Sequence, residues 1–475
     1  VNFYLLLPEI ALTILALVVI VADLLTSDKS KSWLGYLAAI GLVVPAILVV
    51  VVGQSPGVAF TQTFVVDPLS GFFQLIFLFT AALVLLSSVD FVHRRSRYPG
   101  EFFATLLFAT LGAMFLASGN ELITIYVALE LMSISQYILA GFIKGDKQSA
   151  EAGMKYLLLG ALASAVLLYG IALVYAATGT TTLAGIRAVL ASSPPTALAV
   201  AGMVLIVAGF GFKISAVPFQ MWVPDVYQGA PTPVTAFLSV VSKAAGFVAI
   251  LRVVGFGLEP LGAVWPVLFA ILAVLTMTVG NLMALRQTNI KRLMGYSSIG
   301  QAGYALTALA AFTQSTTSAL LFFLLAYAVT NVGTFIAIIY FGNRLGSDDL
   351  SAYDGLSRRA PVAAFALTIC LLSLVGMPPM VGFWSKVYLF LSVYNAGMVG
   401  LVVVGLLNSA LAAFYYLKIV HAMYLKPVAG DKSLAPPRAE AFALLIAVAG
   451  VFLAGLIPGP FIQAATAAAQ ALFPS

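Results

Sequence analysis

Apolar blocks of roughly 18 to 25 residues follow one another along almost the whole chain, the length a helix needs to cross a hydrocarbon core. The blocks fall at about 4–25, 33–53, 68–89, 102–117, 122–142, 152–177 and 197–227, and then at 232–256, 263–285, 293–312, 317–341, 362–395, 398–424 and 441–456. Composition agrees: 62% of the 475 residues are hydrophobic and only 8% charged, whereas a soluble domain is roughly a quarter charged. A water-soluble fold of this size could not cover its surface with so little polar material. The reading is an all-α integral membrane protein of about fourteen transmembrane helices.

Lysine and arginine test that count independently, because cytoplasmic connections hold the excess of positive charge. Connections after odd-numbered spans contain Lys29 and Lys31, then Arg94, Arg95 and Arg97, then Lys144 and Lys147. Later ones contain Arg286, Lys291 and Arg292, then Arg344, Arg358 and Arg359, then Lys426, Lys432 and Arg438. Connections after even-numbered spans, with both tails, contain only Arg187. A missed or invented helix would scramble this alternation, so both termini are expected outside. Membrane orientation accounts for the net charge of +6, and a nucleic-acid role has no support.

Cys370 is the only cysteine, which leaves no disulfide framework, iron–sulfur cluster or thiolate zinc site. His93 and His421 lie on separate elements near cytoplasmic helix ends and are too few to hold a pair of haems. Gly209-Phe-Gly211 lies inside a span, where a dinucleotide loop, which must follow a strand, does not belong. No electron carrier can be placed in this chain. No small-residue cleavage site follows the first span, so no cleavable signal is expected.

Six of the 23 basic residues fall inside spans: Lys155, Lys213, Lys243, Arg252, Lys386 and Lys418. Lys155 has Glu151 four residues before it, a favourable surface pair. Arg252 and Lys418 are within about two turns of helix ends and can snorkel. Lys213, Lys243, Lys386 and Glu130 sit too far from an end for that. Each mid-membrane charge costs about 2.5 to 3.5 kcal/mol on insertion scales. Such charges either mark an ion path or pair with one another to hold helices together.

Their neighbours lean toward a wet interior. Tyr126, Glu130, Ser133 and Tyr137 share one face of the fifth span, and Thr235, Ser239 and Lys243 one face of the eighth. Hydroxyl stripes can also simply bond helix to helix. Two spans are interrupted, the seventh at Pro218 and the twelfth at Pro378-Pro379, because proline removes a backbone hydrogen bond and clashes one turn back. Broken helices at membrane depth are tolerated where freed backbone groups line a cavity, and corresponding breaks in two halves of a chain point to a transporter's ion path. The breaks are five spans apart. We therefore expect two inverted five-helix repeats, the fourth to eighth and the ninth to thirteenth spans. In one membrane domain, residues 1–100 form an N-terminal three-helix segment, 101–256 and 257–424 the repeats, and 425–475 a C-terminal helix and tail.

The run Gly211-Phe-Lys213-Ile-Ser-Ala-Val-Pro218-Phe-Gln-Met-Trp222-Val-Pro-Asp225, continuing through Gly229-Ala-Pro-Thr-Pro233 to Ser242-Lys243, resembles the signature of antiporter-like subunits of respiratory complex I and of Mrp-type cation/proton antiporters. Ala128-Leu-Glu130-Leu-Met-Ser133 and Ile290-Lys-Arg-Leu-Met-Gly-Tyr-Ser-Ser-Ile299 carry the same resemblance. It covers nearly the whole chain. Within the family the chain is most similar to the N-type (subunit 2) members of NADH–quinone oxidoreductase, through Leu7-Pro8-Glu9, its length, and Gly376-Met-Pro-Pro379 leading to Lys386.

The resemblance implies that Glu130 and Lys213 form the charge pair of a half-channel open to the cytoplasm. It makes Lys243 the central relay and Lys386 the site of the half-channel leading outward, and it matches Lys155 to a further family lysine near the pair. It implies proton translocation driven by NADH oxidation and quinone reduction elsewhere. This chain would carry no cofactor, partner subunits would carry FMN, iron–sulfur clusters and the quinone site, and L-, M- and K-type membrane subunits would be its neighbours. The expected location is the bacterial plasma membrane, or a thylakoid. An Mrp-type exchanger and a purely structural membrane spacer are the alternative readings.

Overall fold

The computed structural model describes residues 2–27, 31–192, 194–428, 434 and 438–473. Lys29 and Lys432, used above for orientation, lie outside the described residues. Among the described residues, twelve helices are long and apolar enough to cross a membrane. The first six are α1 (Phe3–Leu25), α2 (Trp33–Val52), α3 (Pro68–Arg95), α4 (Pro99–Ser118), α5 (Leu122–Ala140) and α6 (Lys147–Thr178). A short helix, α7 (Leu183–Ser192), leads to α8 (Ala197–Ile214), α9 (Trp222–Gly229) and α10 (Thr232–Gly257). Then come α11 (Trp265–Leu285), α12 (Ile290–Ala311), α13 (Gln314–Leu345), α14 (Pro361–Val375), α15 (Val381–Asn395), α16 (Val399–Leu425), α17 (Arg438–Leu456) and α18 (Gly459–Gln470).

Two of the stretches read as spans from the sequence fall outside the twelve. Helix α12 is 22 residues long but polar, opening on Lys291 and Arg292 and carrying Ser297, Ser298 and Gln301. Helix α14 stops after 15 residues at Gly376 (φ +97°), and α15 resumes at Val381. The tail beyond the last span contains a further helix, α18, whose small residues Ala465, Ala468 and Ala469 are buried against its neighbours. A two-stranded hairpin, Gly57–Ala59 paired antiparallel with Phe64–Val66, also went unforeseen. Its turn needs positive φ at Phe60, Thr61 and Gln62, a run without the glycine that usually announces such a turn.

Polar residues at the helix starts fix the boundaries. Asp67 caps α3 in a reciprocal box with Ser70, Asp146 caps α6, and Thr313 caps α13 in a box with Thr316. Burial then sorts the helices. Helix α10 is enclosed over its whole apolar window and α13 nearly so, while α1, α6 and α16 leave most of theirs facing outward. The enclosed pair carries Lys243 and Ser239 on α10 and Thr330 and Asn331 on α13, while Glu130, Lys213 and Lys386 lie on α5, α8 and α15.

Candidate functional site

Each of the two interrupted helices ends in a residue with positive φ. Helix α8 stops at Ile214, Ser215 takes φ +65°, and Pro218 precedes the restart of the chain as α9. A helix end leaves carbonyls without intrahelical partners, and inside a membrane these must be satisfied by protein or enclosed water. Lys243 Nζ reaches across from α10 and donates to Ser215 Oγ at 2.8 Å and to the Ile214 carbonyl at 3.4 Å. Trp222 Nε1 of α9 closes the same end by donating to the Phe212 carbonyl at 2.9 Å. The second break repeats this solution. Lys386 Nζ donates to the Val375 carbonyl, the last of α14, at 2.9 Å and to Ser409 Oγ of α16 at 2.9 Å, with the Tyr304 ring 5.0 Å away.

Lys213 is held differently. It lies on the last turn of α8, 2% exposed, and its Nζ has no hydrogen-bond partner. Three rings surround it instead: Tyr137 at 5.2 Å, Tyr156 at 5.3 Å and Phe212 at 5.9 Å. A desolvated cation over a ring gains about 2 kcal/mol or more, against an effective cost of several kcal/mol for burying an unpaired ion, so ring faces are what the site offers a charged Lys213 in place of a hydrogen bond. Glu130, half-buried on α5, accepts a hydrogen bond from Ser164 Oγ of α6 rather than from Lys213. The hydroxyl of Tyr137, on the same face of α5, has no partner.

Between the two lysine-capped breaks the polar groups line up. One turn before Lys243, Ser239 Oγ accepts from Asn331 Nδ2 of α13 at 2.7 Å. The preceding residue on α13, Thr330, shares a hydrogen bond of 3.1 Å with Ser373 of α14, two residues before the carbonyl that Lys386 holds. Helix α10 is π-helical over Leu238–Ser242 immediately before Lys243, a distortion frequent at functional sites. Beside Lys386 a cavity of about 10 Å³, lined by Thr330, Ser373, Tyr327 and Gln301 among others, has the volume of about one water.

A family profile described as NADH:quinone oxidoreductase/Mrp antiporter, TM, matches residues 119–412, the stretch that holds all of these groups. The chain belongs to this family. It is 43% identical to NADH-quinone oxidoreductase subunit N of Heliobacterium modesticaldum over 99% of its own length and 100% of the relative's. A chain in the structure of respiratory complex I from Thermus thermophilus with bound aureothin superposes with a TM-score of 0.82 at 35% identity, covering 97% of this chain and all of that one. A chain of the Mrp complex from Dietzia superposes equally well, TM-score 0.86, at 21% identity over 98% of each chain. The fold is thus common to the family, and full-length identity, not architecture, draws this member to the subunit N branch.

In this antiporter-family chain, Lys155 pairs with Glu151 at 2.7 Å and also with Asp225 of α9 at 2.8 Å, rather than with Glu130. Lys418 donates to the Gln287 carbonyl from an exposed position, as a snorkelling residue does. Arg252 does not snorkel. It is 4% exposed, forms both arms of a pair with Asp67 at 3.0 and 2.8 Å, and donates to the Ala117 carbonyl at 2.6 Å. Asp67, the cap of α3, lies 185 positions away, so sequence proximity could not reveal the partner. Lys291, counted above as a loop charge, is 5% exposed and held by the Ala230 carbonyl at 3.0 Å and Asp348 at 3.3 Å. It lines a polar cavity of about 340 Å³ on the side assigned to the cytoplasm. Ser164, Tyr156, Ser215, Asn331, Ser373 and Ser409 escaped the sequence reading. Serines and threonines are too frequent in membrane helices to stand out, although Tyr156, next to Lys155, and Ser215, two residues after Lys213, lay near residues already singled out.

Proposed function

We propose that this chain is the proton-translocating, antiporter-like N-type membrane subunit of an NADH–quinone oxidoreductase, coupling quinone reduction in partner subunits to proton movement. The observation that carries the reading is the set of three buried lysines, two of them capping helix breaks, with the hydrogen-bonded pairs Ser239–Asn331 and Thr330–Ser373 lying between Lys243 and Lys386. A proton arriving from the cytoplasmic side loads Lys213, whose charge depends on how closely Glu130 approaches. Lys243 relays it, and the hydroxyl and amide groups with enclosed water carry it to Lys386 and outward. Lysine suits the task because its compact ammonium shifts its proton affinity readily with burial and with a neighbouring carboxylate. Two five-helix repeats of opposite topology, α4 to α10 and α11 to α16, with both termini outside, complete the proposed architecture. The free energy comes from partner subunits with FMN, iron–sulfur clusters and the quinone site, and neighbours of the L, M and K types flank the chain in a bacterial plasma membrane.

The test uses the assembled complex in sealed vesicles. Glu130→Gln and Lys213→Met should each depress proton uptake and quinone reduction, and electron transfer to an artificial acceptor that bypasses the membrane arm should continue. The double variant should be little worse than the more severe single, because residues acting as one unit are non-additive. Lys213→Arg should assemble and fail to pump, since guanidinium keeps its proton. Full pumping by the arginine variant, or strictly additive losses, would reduce the pair to helix packing.

A further inference from the structure

We propose that Asp225 is a positioning residue for proton loading at Lys213, a latch that fixes the detached helix segment α9 between α6 and α12. The proposal rests on the reading of Lys213 given above. Helix α9 is eight residues long and follows the break at Pro218, so helical continuity with α8 does not hold it in place. Asp225, on its first turn, divides its carboxylate between two helices. One oxygen meets Lys155 Nζ of α6 at 2.8 Å, and the other meets Arg292 Nη1 of α12 at 2.6 Å. The same Arg292 nitrogen reaches Gln228 Oε1 at 3.2 Å, one turn further along α9.

Stability alone is a poor explanation for this arrangement. The side chains of Lys155, Asp225 and Arg292 are 41%, 35% and 31% exposed, and pairs of that kind contribute about 0 to 1 kcal/mol. Their geometry is more informative. The neighbour of Lys155 on α6 is Tyr156, and the residue one turn before Asp225 on α9 is Trp222. These two rings are stacked, centroids 4.5 Å apart and planes 13° apart. Lys155–Asp225 and Tyr156–Trp222 are therefore successive rungs between the same two helices. The inner rung forms part of the Lys213 cage: Tyr156 lies 5.3 Å from Lys213 Nζ, and Trp222 Nε1 holds the carbonyl of Phe212, the residue before Lys213. Released at Asp225, α9 shifts the Trp222 ring and with it the wall that sets the distance from Lys213 to Glu130. A cavity of about 200 Å³ lined by Gln148, Glu151, Lys155, Asp225, Gln228 and Arg292 opens beside the outer rung.

The experiment compares Asp225→Asn, Asp225→Glu, Lys213→Met and the double variant Asp225→Asn/Lys213→Met in the intact complex in sealed vesicles. Subunit content and electron transfer to the artificial acceptor are measured beside quinone-linked proton uptake. Asp225→Asn should keep subunit content and acceptor activity and lose proton uptake roughly three- to tenfold, the size of a coupling effect. Asp225→Glu should restore more than half of the loss, because it keeps a carboxylate for both cations. The double variant should match Lys213→Met alone, as expected if Asp225 acts through Lys213. Normal uptake by Asp225→Asn while Lys213→Met is blocked would overturn the latch and leave the proposed function standing. Equal losses in the Asn and Glu variants, or a double variant clearly worse than Lys213→Met, would also overturn it. Normal uptake by Lys213→Met would overturn both.

Discussion

The three buried lysines are not equivalent, and the difference lies in what their ammonium groups touch. Lys243 and Lys386 each donate to a carbonyl freed by a helix break, whereas Lys213 has only ring faces around it. A donor facing a carbonyl oxygen serves the fold as well as the proton path, so substitutions at Lys386 should separate the two roles. Lys386→Gln keeps an N–H for the Val375 carbonyl and should assemble normally while slowing coupled turnover. Lys386→Leu leaves that buried carbonyl short of a partner, a penalty of about 1 to 3 kcal/mol, and should lower subunit content as well as pumping. An acid at this position has to be protonated to donate to the Val375 carbonyl. Subunit quantification beside proton uptake checks the pair, and wild-type pumping per assembled complex in both variants would remove Lys386 from the path. Sequence made the lysines conspicuous because charge is expensive in a membrane. It could not say which carbonyl each one meets, since the Lys243 contact spans 29 positions and depends on where α8 ends.

Among the helices, what could be read in advance was whatever a single segment encodes. The breaks are local, because proline lacks a donor and Gly376 accepts φ +97°. Pairing between helices is not local, and Arg252 is the instructive case. Distance from a helix end suggested a side chain bent toward solvent, yet the guanidinium is buried in a π-helical stretch of α10 and clamps the start of α3 and the end of α4. Removing one partner of such a pair strands a buried charge and costs about 3 to 5 kcal/mol, whereas replacing both with apolar groups can be nearly neutral. Arg252→Leu alone should therefore destabilise the subunit in detergent, lowering its melting temperature and its yield in the complex. Asp67→Leu/Arg252→Leu should recover much of that loss, apart from the cap that Asp67 gives α3. If the single variant melts with the wild type, the pair contributes no net stability and α3 is held by packing alone.

For the whole molecule, length and hydropathy told which stretches are buried in the bilayer but not which are buried in protein. Helices α10 and α16 are both long and apolar, yet α10 is enclosed and α16 mostly faces outward, a difference set by the assembly of all the others. Orientation is the property on which the direction of transport depends, and it rests on charge: the odd-side connections are rich in lysine and arginine and the even side has Arg187 alone. Because that rule acts on short connections near helix ends, it can be tested at two exposed positions on opposite sides. Cys370 is buried and is the only cysteine, so Cys370→Ser provides a background without thiols. In that background Ser192→Cys, at the end of α7, should react with a membrane-impermeant maleimide in intact cells. Lys144→Cys, in the connection between α5 and α6, should react only after permeabilisation. Both positions are exposed, so access across the membrane rather than burial decides the result. The reverse pattern would place both termini in the cytoplasm and turn the half-channel through Lys213 outward, and labelling of both positions from one side would mean an even number of crossings between them, so that α6 does not span the membrane.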